Sequence, residues 1–283
     1  MTGLSVHPES TLVERVLLVL REGPRAAATL CHRVLGLAGA QEAVCDRIAV
    51  ALLGADPRVR QLADGRWSLL PEAQGSPTLD DCAFAVVDVE TTGMRSRASD
   101  RITEIAVVVV QGNRREVVFD SLVNPGRPIP PAICAITNIS NEMVRDAPDF
   151  AQVADQVLAA LAGRIFVAHN ATFDWGFVSA EVRRSRDLAL DGPRLCTVRL
   201  ARRLLRGMVR SCGLDSLTHY FGLENEARHR AAGDALVTAE VLARLLRLAR
   251  EEGVRTLQDL EGVQARRMGR RRATQAAPSL PLF

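Results

Sequence analysis

FAVVDVETTGM (Phe84–Met94) begins as a buried β-strand and then breaks the rule for one: its apolar run carries Asp88 and Glu90. An unpaired carboxylate in a core costs several kcal/mol, or its pKa shifts until it is neutral. Side chains at i and i+2 of a strand share a face, so the two acids project together. Thr91-Thr92-Gly93 then ends the strand, and Gly93 permits a turn that opens space in front of them. Two carboxylates held side by side repel each other, and a divalent cation relieves that repulsion. Oxygen-only ligands suit a hard ion such as Mg²⁺ or Mn²⁺. Taken alone, the pair also fits ordinary acids at a sheet rim.

Two more stretches add acids at element boundaries. VAHNATFDWGF (Val167–Phe177) places Asp174 at the start of a helix that follows a second apolar strand. RHRAAGDALVTAEVL (Arg228–Leu242) places Asp234 in the first turn of a long helix, with His229 before it. Residues five apart on one helix point about 140° apart, so His229 must lie on the preceding loop to serve the same site. A lone Asp at a helix start is more often a cap, and a lone His more often packs. Here the set supplies four carboxylates and one imidazole.

DVETTGM (Asp88–Met94), HNATFDWGF (His169–Phe177) and HRAAGD (His229–Asp234) together resemble the three motifs of the DnaQ-like, DEDDh-type 3′–5′ exonucleases. Within that family the pattern is nearest to the proofreading epsilon subunits of bacterial DNA polymerase III. Asp88, Glu90, Asp174, His229 and Asp234 match in order and type, and the resemblance covers about residues 82–250. It implies an α/β, ribonuclease-H-like fold and two divalent cations, Mg²⁺ or Mn²⁺. By resemblance Asp88 bridges both ions, Glu90 and Asp234 complete one site, Asp174 holds the other, and His229 takes a proton from the attacking water. It also places Thr91, Thr92, Met94, Asn170 and Phe173 near the 3′-terminal nucleotide, with Trp175 and Phe177 expected in the core. The implied reaction releases nucleoside 5′-monophosphates from single-stranded or frayed DNA, in repair or proofreading. The alternatives are an exoribonuclease trimming RNA ends and a non-catalytic DNA- or clamp-binding adaptor. One departure lies in AITNIS (Ala135–Ser140), where Thr137-Asn138 replaces a pair ending in Gly. Asn tolerates the left-handed conformation that Gly would supply.

Around this core the chain divides into segments. Residues 1–70 read as three helices and a hairpin turning at Asp64-Gly65, the order of a winged helix. A DNA-binding version would use Arg47, Arg58, Arg60 and Arg66; many winged helices bind protein instead. PEAQGSPTLDD (71–81) reads as a linker. Residues 82–262 alternate strands and helices as an α/β exonuclease domain. Residues 263–283 form a basic tail ending in SLPLF. That ending resembles the bacterial sliding-clamp-binding peptide, with Leu280, Leu282 and Phe283 as anchors. A DNA polymerase is a further candidate partner.

Composition bounds the reading. The chain has 283 residues, net charge +3 and no lysine, every basic side chain being Arg; GC-rich codon usage explains that better than function. No run of residues is long and apolar enough for a membrane span, and no leader opens the chain. Six scattered cysteines without a CxxC argue against a zinc ribbon or a disulfide framework. The expected setting is the bacterial cytoplasm, at the nucleoid.

Overall fold

The computed structural model describes residues 3–8, 11–20, 23–56, 58–70, 76–96, 99–225 and 228–265. The C-terminal arginines from Arg266 onward and the Leu280, Leu282 and Phe283 anchors lie outside the described residues. The elements run β1 (Ser5–Pro8), α1 (Thr11–Leu20), α2 (Ala27–Leu35), α3 (Glu42–Leu53), β2 (Val59–Gln61), β3 (Trp67–Leu69), β4 (Ala83–Thr91), β5 (Ile102–Gln111) and β6 (Arg114–Leu122). There follow α4 (Pro131–Thr137), α5 (Asn141–Arg145), α6 (Phe150–Leu161), β7 (Ile165–Ala168), α7 (Ala171–Arg186), β8 (Leu188–Asp191) and β9 (Arg194–Cys196). The chain closes with α8 (Thr197–Leu204), α9 (Leu214–Phe221), α10 (Ala231–Glu251) and α11 (Leu257–Ala265).

The central sheet has the order β6-β5-β4-β7-β9. Strands β4, β5 and β6 are antiparallel neighbours, while β7 and β9 run parallel to β4. Strand β4 is near-continuously apolar because helices cover both faces. Ala85, Val87 and Val89 pack with Phe150, Val157, Phe177 and Val178 of α6 and α7. Phe84 and Val86 pack on the other face with Leu200, Leu217, Leu242 and Leu245. Asp88 and Glu90 continue the second face toward α10. That helix presents Ala231, Ala235 and Ala239 to the sheet, all fully buried, and these small side chains let it approach closely beside the acids.

Residues 11–70 build their own core. Leu17, Leu20, Leu30, Val34, Leu53 and Trp67 pack together. Strands β2 and β3 form a hairpin, and Arg25, between α1 and α2, makes an antiparallel bridge to Trp67. Of the arginines expected on DNA, Arg58 is held by Asp56 at 2.7 Å and Arg66 by Asp64 at 2.7 Å, while Arg47 and Arg60 are exposed.

Two expectations need correction. Residues 71–75 of the expected 71–81 linker lie outside the described residues. From Ser76 the segment is stitched to the exonuclease body: Leu257 N–H donates to Pro77 O, Gln258 N–H to Ser76 Oγ, and Leu79 is buried in the core beside Leu257 and Leu260. Nor does the first segment stay within its own unit. Strand β1 pairs antiparallel with β8, and Leu4 is buried beside Phe166 and Leu161. Both short strands escaped notice because four residues carry too little periodicity to register. The six cysteines stand as free thiols, four of them buried. No helix among the described residues is long and apolar enough to cross a membrane.

Candidate active site

Strand β4 delivers Asp88 and Glu90 to the end of the sheet, where a β-bulge between Glu90 and Thr91 shifts the register. A bulge at this point re-aims side chains and ends the pairing. The turn beyond is built from the strand's own polar residues. Thr91 Oγ1 donates to Gly93 O at 2.6 Å, and Thr92 Oγ1 accepts from Arg101 N–H at 3.0 Å. Both threonines are buried, so their hydroxyls hold the turn in place. Gly93 is needed for a different reason from the one read in the sequence. A Cβ there would lie 2.5 Å from the buried carboxylate of Asp100, which also accepts from Arg95 N–H. Met94, just after, is 76% exposed.

Asp174 comes from the first turn of α7 and is buried. Asn170 precedes that helix in the left-handed conformation (φ 76°), one of few residue types that adopt it readily. His229 lies on the loop before α10, also left-handed (φ 59°). Its backbone N–H donates to Asp234 Oδ2 at 3.2 Å, and Asn225 Nδ2 donates to Asp234 Oδ1 at 2.6 Å. Asn138 is left-handed too (φ 57°), as the replacement for Gly requires.

These elements bring Asp88, Glu90 and Asp234 together, with one ligand oxygen from each lying within 4.8 Å of the others. Burial raises the Asp88 pKa well above its ordinary value, and the charges of Asp174, Asp234, Glu90 and Glu104 add to the rise. Burial, with Asp234 and Glu104 next, pushes Glu90 up to about 8. Burial pushes Asp174 to about 8 against the pull of the Asp174 and Val89 backbone amides. This convergence of oxygens, crowded and short of positive charge, is what a hard divalent cation fits. The acids could therefore hold a metal.

Several supporting residues went unread in the sequence. Glu104, only 2% exposed, stands opposite Glu90 on β5. It accepts from Arg230 Nε at 3.0 Å and from Ala231 N–H, the first helical residue of α10, at 2.8 Å. It thus fastens the loop bearing His229 and the helix bearing Asp234. The signal was available: an acid inside RITEIAVVVV (Arg101–Val110) is as anomalous as Asp88. Arg101 holds buried Glu181 of α7 through two bonds of 2.6 and 2.9 Å, tying the strand end to that helix. His169 is bonded to Thr197 Oγ1 at 2.8 Å, and burial lowers its pKa to about 4, so it is neutral at pH 7. Phe173 packs on Phe177 at 4.9 Å, and Phe177 is core as expected. Trp175 packs against the core, edge-on to buried Phe166 at 5.2 Å, but is only half-buried, with the Arg194 guanidinium 4.6 Å from its ring centroid.

Comparison with known proteins agrees with this geometry. The family model described as Exonuclease matches residues 85–242. A DNA polymerase III subunit epsilon-like protein of Rhodobacter capsulatus is 41% identical over 186 residues, covering 63% of this chain and 26% of the relative. The 3′-5′ exonuclease DinG of Bacillus subtilis is 37% identical over 177 residues, 62% of this chain and 19% of that one. The chain thus spans about a quarter or less of the length of these relatives. Exonuclease X, solved in complex with 5′ overhanging duplex DNA, superposes with a TM-score of 0.51 at 28% identity, covering 64% of this chain and 99% of that one. The matched family segment takes in more than half of the chain and carries Asp88, Glu90, Asp174, His229 and Asp234, and the chain belongs to the exonuclease family, in its DnaQ-like branch.

Proposed function

We propose that the protein is a metal-dependent 3′–5′ exonuclease that releases nucleoside 5′-monophosphates from single-stranded or frayed DNA ends. The observation that carries this is the meeting of Asp88, Glu90 and Asp234, with Asp174 close enough for its charge to act on Asp88. Asp88, Glu90, Asp174 and Asp234 would hold two Mg²⁺ or Mn²⁺ ions. When bound, such a pair stabilises the attacking and leaving oxygens of an in-line displacement. The chain's own residues do the rest. His229, free of an acidic side-chain bond in the described structure, accepts the proton of the attacking water on a ring nitrogen. Asp234 fixes the His229 backbone and so aims the ring. Met94, Asn170 and Phe173 flank the terminal nucleotide, and an apolar side chain can stack on any base. Thr91 and Thr92 contribute through the turn they hold.

DNA as substrate is supported by the DNA complex of Exonuclease X and by the polymerase-subunit relatives. The three helices, the hairpin and the Arg25–Trp67 bridge support a winged-helix reading of residues 11–70, and the SLPLF ending supports recruitment by a sliding clamp at the nucleoid. The decisive experiment digests single-stranded DNA, mismatched duplex and RNA of matched sequence in Mg²⁺ or Mn²⁺ and identifies the products. Release of 5′-mononucleotides from DNA, abolished by EDTA, is expected. Preference for RNA moves the assignment to an exoribonuclease, and no release in either metal overturns it.

A further inference from the structure

A cavity of about 1150 Å³ opens beside the catalytic acids without including them. Its lining includes Met94, Asn170 and Phe173 together with Trp175, Arg194 and Arg199. We infer that this groove binds the phosphate backbone of the single strand upstream of the nucleotide being removed. The inference rests on the exonuclease reading and extends it to the path of the strand.

Three observations carry it. The first is continuity: a strand whose last nucleotide sits at Met94 and Phe173 enters the groove without crossing the carboxylates. The second is preorganisation. Arg194 is laid over the Trp175 ring, and its strand is pinned by Gln264, which donates to Arg194 O at 2.7 Å and accepts from Cys196 N–H at 3.0 Å. A stacked guanidinium keeps its edge free for a phosphate and its outer face for a base. The third is unspent charge. Several arginines elsewhere are held by carboxylates: Arg115 meets Glu240, Arg186 meets Asp155 and Arg250 meets Asp80, each within 2.8 Å. Arg194, Arg199, Arg202 and Arg206 have no such partner among the described residues. Arg199 and Arg202 stand on the outer face of α8, opposite buried Leu200 and Leu204. Arg202 and Arg206 line a second hollow of about 370 Å³.

The test uses the whole protein in Mn²⁺ and compares kcat/KM for a single strand of about eight nucleotides with that for a dinucleotide. The long-to-short ratio should fall roughly tenfold in Arg194→Ala/Arg199→Ala, chiefly through KM for the long strand. The slope of log KM against log salt should flatten by about 1.4, because each lost single-strand phosphate contact removes about 0.7. Arg244→Ala/Arg247→Ala, which removes the same charge from a different cavity, should leave ratio and slope as in the wild type. An unchanged ratio and slope in the groove variant, or an equal change in the control, overturns the inference. If the wild-type protein cleaves neither substrate, the exonuclease reading itself fails.

Discussion

Asp88 accepts a costly position because its neighbours are acids too, and this sets what substitution should do. Asp88→Asn and Asp234→Asn should abolish nucleotide release while the protein remains folded. The metal-free melting temperature of Asp88→Asn should be equal or higher, since it relieves the crowding of acids, whereas Asp234→Asn also loses one of the two acceptors that hold His229 N–H and Asn225 Nδ2; full activity of either in Mg²⁺ would refute the site. His229→Ala should lose about 10²–10⁴-fold in kcat yet keep its cation affinity by calorimetry. Equal loss of affinity would make His229 a ligand. The raised pKa values of Glu90 and Asp174, both about 8, predict a pH dependence of stability. The metal-free folded state binds more protons than the unfolded chain between pH 4.5 and 8, so stability is present at low pH and falls as pH rises through the folded pKa values. Each group contributes on the order of 1 kcal/mol per pH unit. Between about pH 6.5 and 8 the neutral His169 adds nothing to this slope, so melting in EDTA should drop over that window. Added Mn²⁺ should raise the melting temperature most at the alkaline end. A flat profile in EDTA would show the acids to be less coupled than their burial implies.

Helix α10 is held on the sheet by one carboxylate as well as by its apolar face. Glu104 reaches from β5 to the Ala231 N–H and to Arg230, so sheet and helix meet through a buried charge and not through apolar packing alone. Glu104→Gln keeps the size and one acceptor but loses the ion pair. It should lower kcat about tenfold with a smaller change in KM, because His229 and Asp234 lose their register while the nucleotide contacts are untouched. Glu104→Ala strands the Ala231 N–H and should cost about 1–3 kcal/mol in thermal unfolding. A Glu104→Gln enzyme with wild-type kcat would make the contact merely structural.

The N-terminal unit is attached at both ends. Strand β1 leads in by pairing with β8, and residues 76–81 lead out against α11. Gly3 makes the first contact possible: a Cβ there would sit 2.0 Å from the backbone carbon of Gly163. Gly3→Ala should therefore displace β1 and draw Leu4 from the core, at about 1.5–3 kcal/mol. Faster proteolysis between residues 1 and 25 would reveal it, and an unchanged cleavage rate would show the strand to be dispensable. At the other end of the chain, removing Ser279 to Phe283 should weaken clamp pull-down without altering hydrolysis of short oligonucleotides. A short tethered peptide gains from effective concentration, so its loss matters only on clamp-loaded DNA. Equal pull-down of the two forms would leave SLPLF without that role.

The candidate set was legible in the linear chain because its members fall where elements end or begin: two acids near the end of an apolar strand, Asp174 and Asp234 in the first turns of helices, and His229 on the loop before one. The order of strands β4 to β6 and the long helices were legible for the same kind of reason, since period and turn residues are local properties. Trp175 was not. Its apolar ring next to Phe177 suggested core, and only the nearness of β9 turns it into a platform for Arg194. Strands β1, β8 and β9 were also hidden, because three or four residues become a strand only when a partner supplies the hydrogen bonds. Gly93 was read as a turn residue, but the carboxylate of Asp100 that requires it arrives from beyond the turn. Which acids share oxygens within 4.8 Å, which arginines remain unpaired and where the groove leads all depend on contacts between distant segments. Sequence spacing carries chemistry along one element; the meeting of elements is decided by packing and by buried charges such as Glu104.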